Sequence, residues 1–257
     1  MKSRIYALLE VIFIVLFLFS AYKLVTIYKD YSEGDKIYEE SADSYFEVPE
    51  NDSDSGDKKL KLDIKSLKET NPDTIGWIYI EDTPISYPVL QNDNNTYYLK
   101  HAYNNKYSGF GSIFIDYRCN GDLTDKNTLI YGHNTKNGSM FGSLKKYKNA
   151  DYLKKHPYIY IVCENKTYKY QIFSIYTTDT SDKSYTLDFA SAADFRKWIS
   201  YVDSNSLIDV MGNYKPTGKE NVITLSTCVK HNSPERFVVF AIQTDIIENT
   251  DSIEIKK

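Results

Sequence analysis

Cysteine is scarce in this chain. Three in 257 residues cannot build a disulfide scaffold, and an odd number leaves one thiol unpaired unless it joins another molecule. An excess of positive charge is also missing. With 31 Lys and Arg against 35 Asp and Glu the net charge is −4, so the global basic footprint of a nucleic-acid binder is absent. Eleven glycines, seven prolines and the lack of any repeat exclude collagen-like and low-complexity chains. What is abundant is apolar and aromatic side chain, 42% and 15% of residues, enough for one good core or two small ones. The 24 tyrosines are spread over every segment, which fits their preference for strands better than a dedicated binding platform.

Residues 5 to 25, IYALLEVIFIVLFLFSAYKLV, are apolar apart from Glu10 and Lys23. At about 1.5 Å per residue a helix of that length crosses the roughly 30 Å hydrocarbon layer. No small-residue cleavage site follows the run, so it reads as an uncleaved anchor rather than a signal peptide. Lys23 can snorkel and Glu10 lies within reach of the opposite interface, so neither needs a function in the membrane. Lys2 and Arg4 precede the span, and the positive-inside rule keeps that short tip in the cytoplasm and places everything beyond about residue 28 outside. From Asp30 to Lys58 eleven acidic residues face two basic ones, a net of −9, which leaves +5 for the rest. Residues 29–59 are therefore expected to form an acidic linker, with Ile37, Tyr38, Ala42, Tyr45 and Phe46 spaced for a short amphipathic helix within it.

From residue 60 to 257 the pattern is that of many strands and few helices. Eight segments rich in Ile, Val, Tyr and Phe lie between turn-forming clusters: Trp77 to Glu81, Ile85 to Gln91, Ser112 to Arg118, Thr128 to Asn134, Tyr158 to Asn165, Thr167 to Asp179, Asn221 to Cys228 and Arg236 to Ile247. Their number and spacing suggest a closed barrel or a sandwich. Helices are expected from about Met140 to Lys155 and from about Asp188 to Val202, the second opened by a Ser191/Asp194 capping box.

The thiols differ in setting. Cys163 lies inside the alternating strand YIYIVCEN and reads as a small buried hydrophobe; Cys119 precedes the Asn120-Gly121 turn with no base near it in sequence, and whether the two pair is left open. Cys228 closes the buried run VITLST just where a polar loop begins. Arg236 opens the next apolar strand eight residues on, and a hairpin brings it back beside the thiol, since adjacent strands lie about 4.8 Å apart. His133 ends another strand in the sequence YGHN. A thiolate is the attacking species and a cationic neighbour favours it; attack on an amide creates an oxyanion for Arg236, and the leaving amine needs an acid such as His133. His231 is a rival acid. Cys228 with His231 also has the look of a metal pair, but a closed zinc site needs about four ligands and no second pair stands nearby, so no metal is expected. His101 and His156, in polar contexts, read as surface residues.

At these positions the chain resembles a sortase, the membrane-anchored cysteine transpeptidase of Gram-positive bacteria. The resemblance covers roughly residues 60 to 247 and rests on Thr224-Leu225-Ser226-Thr227-Cys228, on Arg236 at the start of the next strand and on Gly132-His133 upstream. It is similar to class B in residues 71–78 (NPDTIGWI), 85–91 (ISYPVLQ), Asn95 with Tyr98-Leu99, 111–116 (GSIFID), and a long insertion at about 181–220. It departs from that class at Asn94, where the pattern has Asp, and at Val229, where many members carry an acidic residue after the cysteine.

The resemblance implies a mainly β fold: an eight-stranded closed barrel with N-terminal helices and a helix in the insertion between strands six and seven. It implies cleavage of a C-terminal sorting signal after Thr through a Cys228 thioester, with His133 protonating the leaving group and Arg236 stabilising the reacting carbonyl, then transfer to an amine of the cell wall. Asn95 is implied as a substrate contact, Tyr131, Ser226 and Thr227 should line the cleft, and Tyr176, Thr177 and Thr178 lead into the wall facing the signal. Surface proteins bearing the signal and a cell-wall amine acceptor are the implied partners, with no cofactor; NPxTN-like and proline-Thr-Gly signals both occur in the class. Two other readings compete. One is a cysteine peptidase passing its acyl group to water, although the papain order of Cys before His finds only His231. The other is an anchored β-domain that binds without catalysis and carries Cys228 as a core residue.

Overall fold

A computed structural model of the protein describes residues 2–49, 60–210, 217–229 and 233–249. The core of the molecule is a closed barrel of eight strands: β1 (Thr74–Tyr79), β2 (Ser86–Leu90), β3 (Ile113–Ile115), β4 (Asn127–Tyr131), β5 (Tyr158–Val162), β6 (Lys166–Asp179), β7 (Val222–Cys228) and β8 (Glu235–Glu248). They close in the order β8-β6-β5-β1-β2-β3-β4-β7. Two neighbouring pairs are parallel, β2 with β3 and β4 with β7; the others are antiparallel. All eight expected segments are present, with ends shifted by a few residues; the third is the most shortened, because Asp116, Tyr117 and Arg118 leave the sheet in a turn.

β8 explains why part of this barrel reads as an unbroken apolar run. Phe237, Val239 and Ala241 point to the barrel core, whereas Val238, Phe240 and Ile242 belong to a second cluster under helix α4 (Ala192–Ser204). Both faces of the strand are thus covered, and period-two alternation of apolar with polar disappears. α4 occupies the insertion between β6 and β7 and lays Phe195, Trp198, Ile199 and Val202 on that outer face. Ser191 Oγ caps it by accepting from Asp194 N at 3.2 Å.

Two helical expectations change. The single helix expected from Met140 to Lys155 is a 3₁₀ stretch, Gly142–Lys148, followed by α3 (Ala150–Lys155). Asn149 takes an extended conformation between them and its side chain accepts from Asp151 N and Tyr152 N, so it caps a new helix instead of continuing the old one. At the N-terminus α1 runs without a break from Lys2 to Tyr45. Its apolar part, of mean hydropathy 2.3, is unburied and is long and apolar enough to cross a membrane. The spacing expected to form a short separate helix is its final turns: Tyr38 and Ser41 are buried, and Ile37, Ala42 and Tyr45 pack on the barrel core. A ribbon of Phe46–Glu47 with Lys61–Leu62 and the short α2 (Ile64–Thr70), capped by Asp63, complete that end; the rest of the expected linker, residues 50–59, lies outside the described residues.

Candidate active site

The site lies where two parallel strands end together. β4 and β7 run in register with Tyr131 beside Ser226, and Gly132 N donates to the Ser226 carbonyl at 3.2 Å. Two residues further along each strand stand His133 and Cys228. Across the hairpin, Arg236 of β8 is the direct partner of Cys228. Backbone register alone therefore brings the three to one edge of the barrel, where they line a cavity of about 330 Å³ with Asn95, Leu99, Phe114, Arg118, Tyr131, Thr180, Tyr185, Ser226 and Thr227. The Asn134 side-chain amide ties the two parallel strand ends together by donating to the carbonyls of Cys228 (2.7 Å) and Val229 (3.2 Å).

His133 is half-buried and its Nε2 lies 2.7 Å from the Leu99 carbonyl. A carbonyl can only accept, so Nε2 carries the hydrogen and Nδ1 is left as the nitrogen that can take up or release a proton. Arg236 is also half-buried. Its guanidinium donates to the carbonyls of Ser233 and Glu235, and it forms no ion pair with a carboxylate among the described residues, so its charge remains available to the cavity. Tyr185, brought in by the 3₁₀ turn Lys183–Tyr185, shares a hydrogen with Ser226 Oγ at 2.8 Å. Burial pushes its phenol up to about 12, against the opposing pull of the Ser226 hydrogen bond and the Arg236 charge.

One wall is organised by a carboxylate that sequence reading did not single out. The Asp116 side chain has no exposed surface and accepts from Arg118 Nε (2.9 Å), Arg118 Nη2 (2.8 Å), Arg118 N (3.0 Å), the Tyr131 hydroxyl (2.8 Å) and the Asn95 amide (2.9 Å). Burial works to raise its pKa, but the hydrogen bonds from Arg118 and Tyr131 prevail and hold the carboxyl below its ordinary value. Burial and the Asp116 charge push the Tyr131 phenol far above its usual range. Asn95 and Tyr131 thus line the cavity with their polar ends already turned to Asp116, and Asn95 Oδ1 accepts from Tyr117 N at 3.0 Å. The signal for this hub was Asp116 with Arg118 two residues on, the spacing at which an Asp side chain accepts from the backbone N–H two residues ahead and folds the chain into a turn.

The structure brings together Cys228, His133, Arg236, Asn95, Tyr131, Ser226 and Thr227 and leaves Thr177 out. Thr177 is exposed near the end of β6, opposite Phe237; Thr180, just beyond the strand end, takes the place in the cavity wall. Tyr176 is turned into the cluster beneath α4. Thr227 is buried and its hydroxyl has no hydrogen-bond partner among the described residues. His101 and His156 are half-buried rather than on the surface, each with Nδ1 on a backbone carbonyl, Tyr97 and Glu81 respectively. His231 lies outside the described residues. All three cysteines are unpaired. No cluster of metal-ligating side chains occurs among the described residues.

Comparison with known proteins matches residues 78–244 to the sortase domain family. Sortase B of Listeria monocytogenes is 35% identical over 227 residues, covering 88% of this chain and 91% of the relative. The crystal structure of Bacillus anthracis sortase B in complex with AAEK1 superposes with a TM-score of 0.71 at 32% identity, covering 84% of this chain and 98% of that one. A Staphylococcus aureus sortase B–substrate complex gives a TM-score of 0.65 at 33% identity, over 72% and 84% of the two chains.

Proposed function

The chain belongs to the sortase family, in its class B of cell-wall transpeptidases that act on sorting-signal peptides, and from this we propose a mechanism in which Cys228 is the nucleophile. The observation that carries it is the common register of β4, β7 and β8, which sets His133, Cys228 and Arg236 on one cavity edge. The Cys228 thiolate attacks the carbonyl carbon of the Thr in the sorting signal, and the oxygen that becomes negative faces the Arg236 guanidinium. When the C–N bond breaks, protonated His133 gives its Nδ1 proton to the departing amine and a thioester remains on Cys228. Neutral His133 then takes a proton from an incoming cell-wall amine, which attacks the thioester carbonyl and restores the thiolate. Asp116 keeps Asn95, Tyr131 and Arg118 in fixed positions along the wall where the signal peptide lies. The wall depends on side chains held before the peptide arrives.

The apolar half of α1 serves as a single-pass anchor, with Lys2 and Arg4 on the cytoplasmic side and the barrel outside, facing the cell wall. The length and hydropathy of the segment support this placement. The test uses the full chain in detergent micelles with peptides of the NPxTN and proline-Thr-Gly types and a small amine acceptor, read by mass spectrometry. Cleavage after Thr joined to acceptor incorporation, both lost in Cys228→Ala, is the expected result. Cleavage with water as sole acceptor would favour a peptidase, and turnover that survives in Cys228→Ala would overturn the assignment.

A further inference from the structure

The imidazole of His133 rests against a corner of backbone that α1 holds in place. Gly111 stands at that corner with φ +57°, and a Cβ there would lie 2.4 Å from the Tyr98 carbonyl, 2.9 Å from the Leu99 carbonyl and 2.9 Å from His133 Cδ2. The Nε2–Cδ2 edge of the ring is therefore packed on Gly111 and bonded to Leu99, and the Nδ1 edge faces away from them. From the other side, the buried Tyr38 hydroxyl of α1 donates to the Gly111 carbonyl and lies 3.0 Å from Ser112 Oγ, which donates in turn to the His101 carbonyl at 2.8 Å. Tyr31, two turns earlier, stacks edge-on against Phe110 with ring centres 5.1 Å apart.

α1 also holds the loop that carries His133. Its Asp35 carboxylate accepts from Asn137 Nδ2 (2.8 Å) and Ser139 Oγ (2.6 Å) in the turn after the histidine. That turn folds back so that Phe141 N donates to the His133 carbonyl at 3.0 Å. The Tyr87 hydroxyl, bonded to Met140 N at 2.9 Å, belongs to a ring standing edge-on to Tyr38 at 5.4 Å. One helix thus grips both the segment to which the imidazole bonds and the segment from which it projects.

We propose that Tyr38 and Asp35 are positioning residues for His133, so that the docking of α1 on the barrel sets the orientation of the acid–base group and with it the rate of acyl transfer. This rests on His133 acting as proposed above. A small displacement of a proton-transfer group lowers the chemical step with little effect on binding, because the geometry of transfer is lost while the peptide wall is intact.

The test uses the full chain in detergent micelles. Tyr38→Phe removes one oxygen and retains the ring; it is expected to lower kcat about tenfold with KM nearly unchanged. Asp35→Ala, on the outer side of the turn, is expected to lower kcat about threefold, with recovery in Asp35→Asn, which restores an acceptor for Ser139. Tyr45→Phe serves as the control: its hydroxyl is on the same helix but lies 3.0 Å from Thr70 Oγ1, and kcat should not change. With histidine labelled by ¹³C and ¹⁵N, the His133 ring signals, assigned through His133→Gln, should move in Tyr38→Phe while those of His156 stay. A purely structural role would lower the melting temperature of Tyr38→Phe and Asp35→Ala yet leave kcat and the His133 signals in place, and that result overturns the proposal. Turnover retained in His133→Gln would remove the catalytic assignment instead, and the ring signals would still decide whether α1 places His133.

Discussion

The same barrel carries three thiols in two kinds of surroundings, and the contrast shows what makes one of them fit for chemistry. Cys119 is buried with its Sγ 3.8 Å from the Asn127 carbonyl, and burial pushes its pKa up to about 11. Cys163 sits at the end of β5 over the bare backbone of Gly76, and burial pushes it up to about 12. A thiol in that state is a small hydrophobe. Cys228 is half-buried, at the point where β7 leaves the sheet, and it shares its cavity with His133 and Arg236. The difference lies in company rather than in exposure alone: Cys163 is half-buried like Cys228, but its sulfur packs over Gly76, whereas the parallel pairing of β4 with β7 and the hairpin to β8 set His133 and Arg236 in one cavity with Cys228.

The largest effect expected from testing this contrast is at Cys228. Cys228→Ala should lower turnover by about 10⁴-fold or more, measured as product per enzyme against signal peptide. Cys119→Ala with Cys163→Ala should leave turnover unchanged; a comparable loss there would erase the distinction between the two environments. Next come the neighbours. His133→Ala should lower kcat by about 10²- to 10⁴-fold, and Arg236→Ala by about 10²- to 10³-fold, with Arg236→Lys recovering only part because an ammonium lacks the planar fork. Asp116→Ala sharpens the picture from the wall: it leaves Tyr131, Asn95 and Arg118 without their common acceptor. It is expected to raise KM more than it lowers kcat and to destabilise the fold by about 2 kcal/mol, since Arg118 itself is exposed to water.

The smallest effects are in the dependence of stability on pH. Cys119 and Cys163 have folded-state values above the unfolded thiol value of about 8.5, so their contribution is complete below that pH and is lost as the pH rises toward 11 and 12. Thermal melts between pH 8 and 11 should fall less steeply when both are replaced by Ala. Asp116 has the opposite sign. Its depressed value gives stability that is complete above about pH 4 and lost as the pH falls through the folded-state value, and Asp116→Asn should flatten the acid side of the curve.

Much of this was legible in the chain because period and punctuation carry strands well. The segment ending in Cys228 and the strand opening at Arg236 announce a hairpin, and their pairing follows from the short polar loop between them. The parallel match of β4 with β7 is different: it joins residues nearly a hundred positions apart, so the strand-end position of His133 marked it as a candidate acid without showing that it would stand beside Cys228. Local signals failed where tertiary contacts decide. Thr177 and Thr180 are equivalent as sequence, but the strand ends between them, so one faces solvent and the other the cavity. Tyr185 enters from a 3₁₀ turn with no pattern of its own. The acidic composition of residues 29–59 suggested a linker, and the spacing of Ile37, Tyr38, Ala42 and Tyr45 marked the helical face that docks on the barrel, but nothing in the pattern showed that this helix continues the apolar segment without a break.

The most direct measurement is capture of the acyl-enzyme. The full chain in detergent micelles is mixed with signal peptide in the absence of an amine acceptor, quenched in acid and digested, and the peptide-mass adduct is located by tandem mass spectrometry. The account predicts one thioester on Cys228, ending in the Thr carbonyl of the signal, with Cys119 and Cys163 unmodified. An adduct on either of those thiols, or peptide cleavage that leaves Cys228 unacylated throughout the time course, would contradict it.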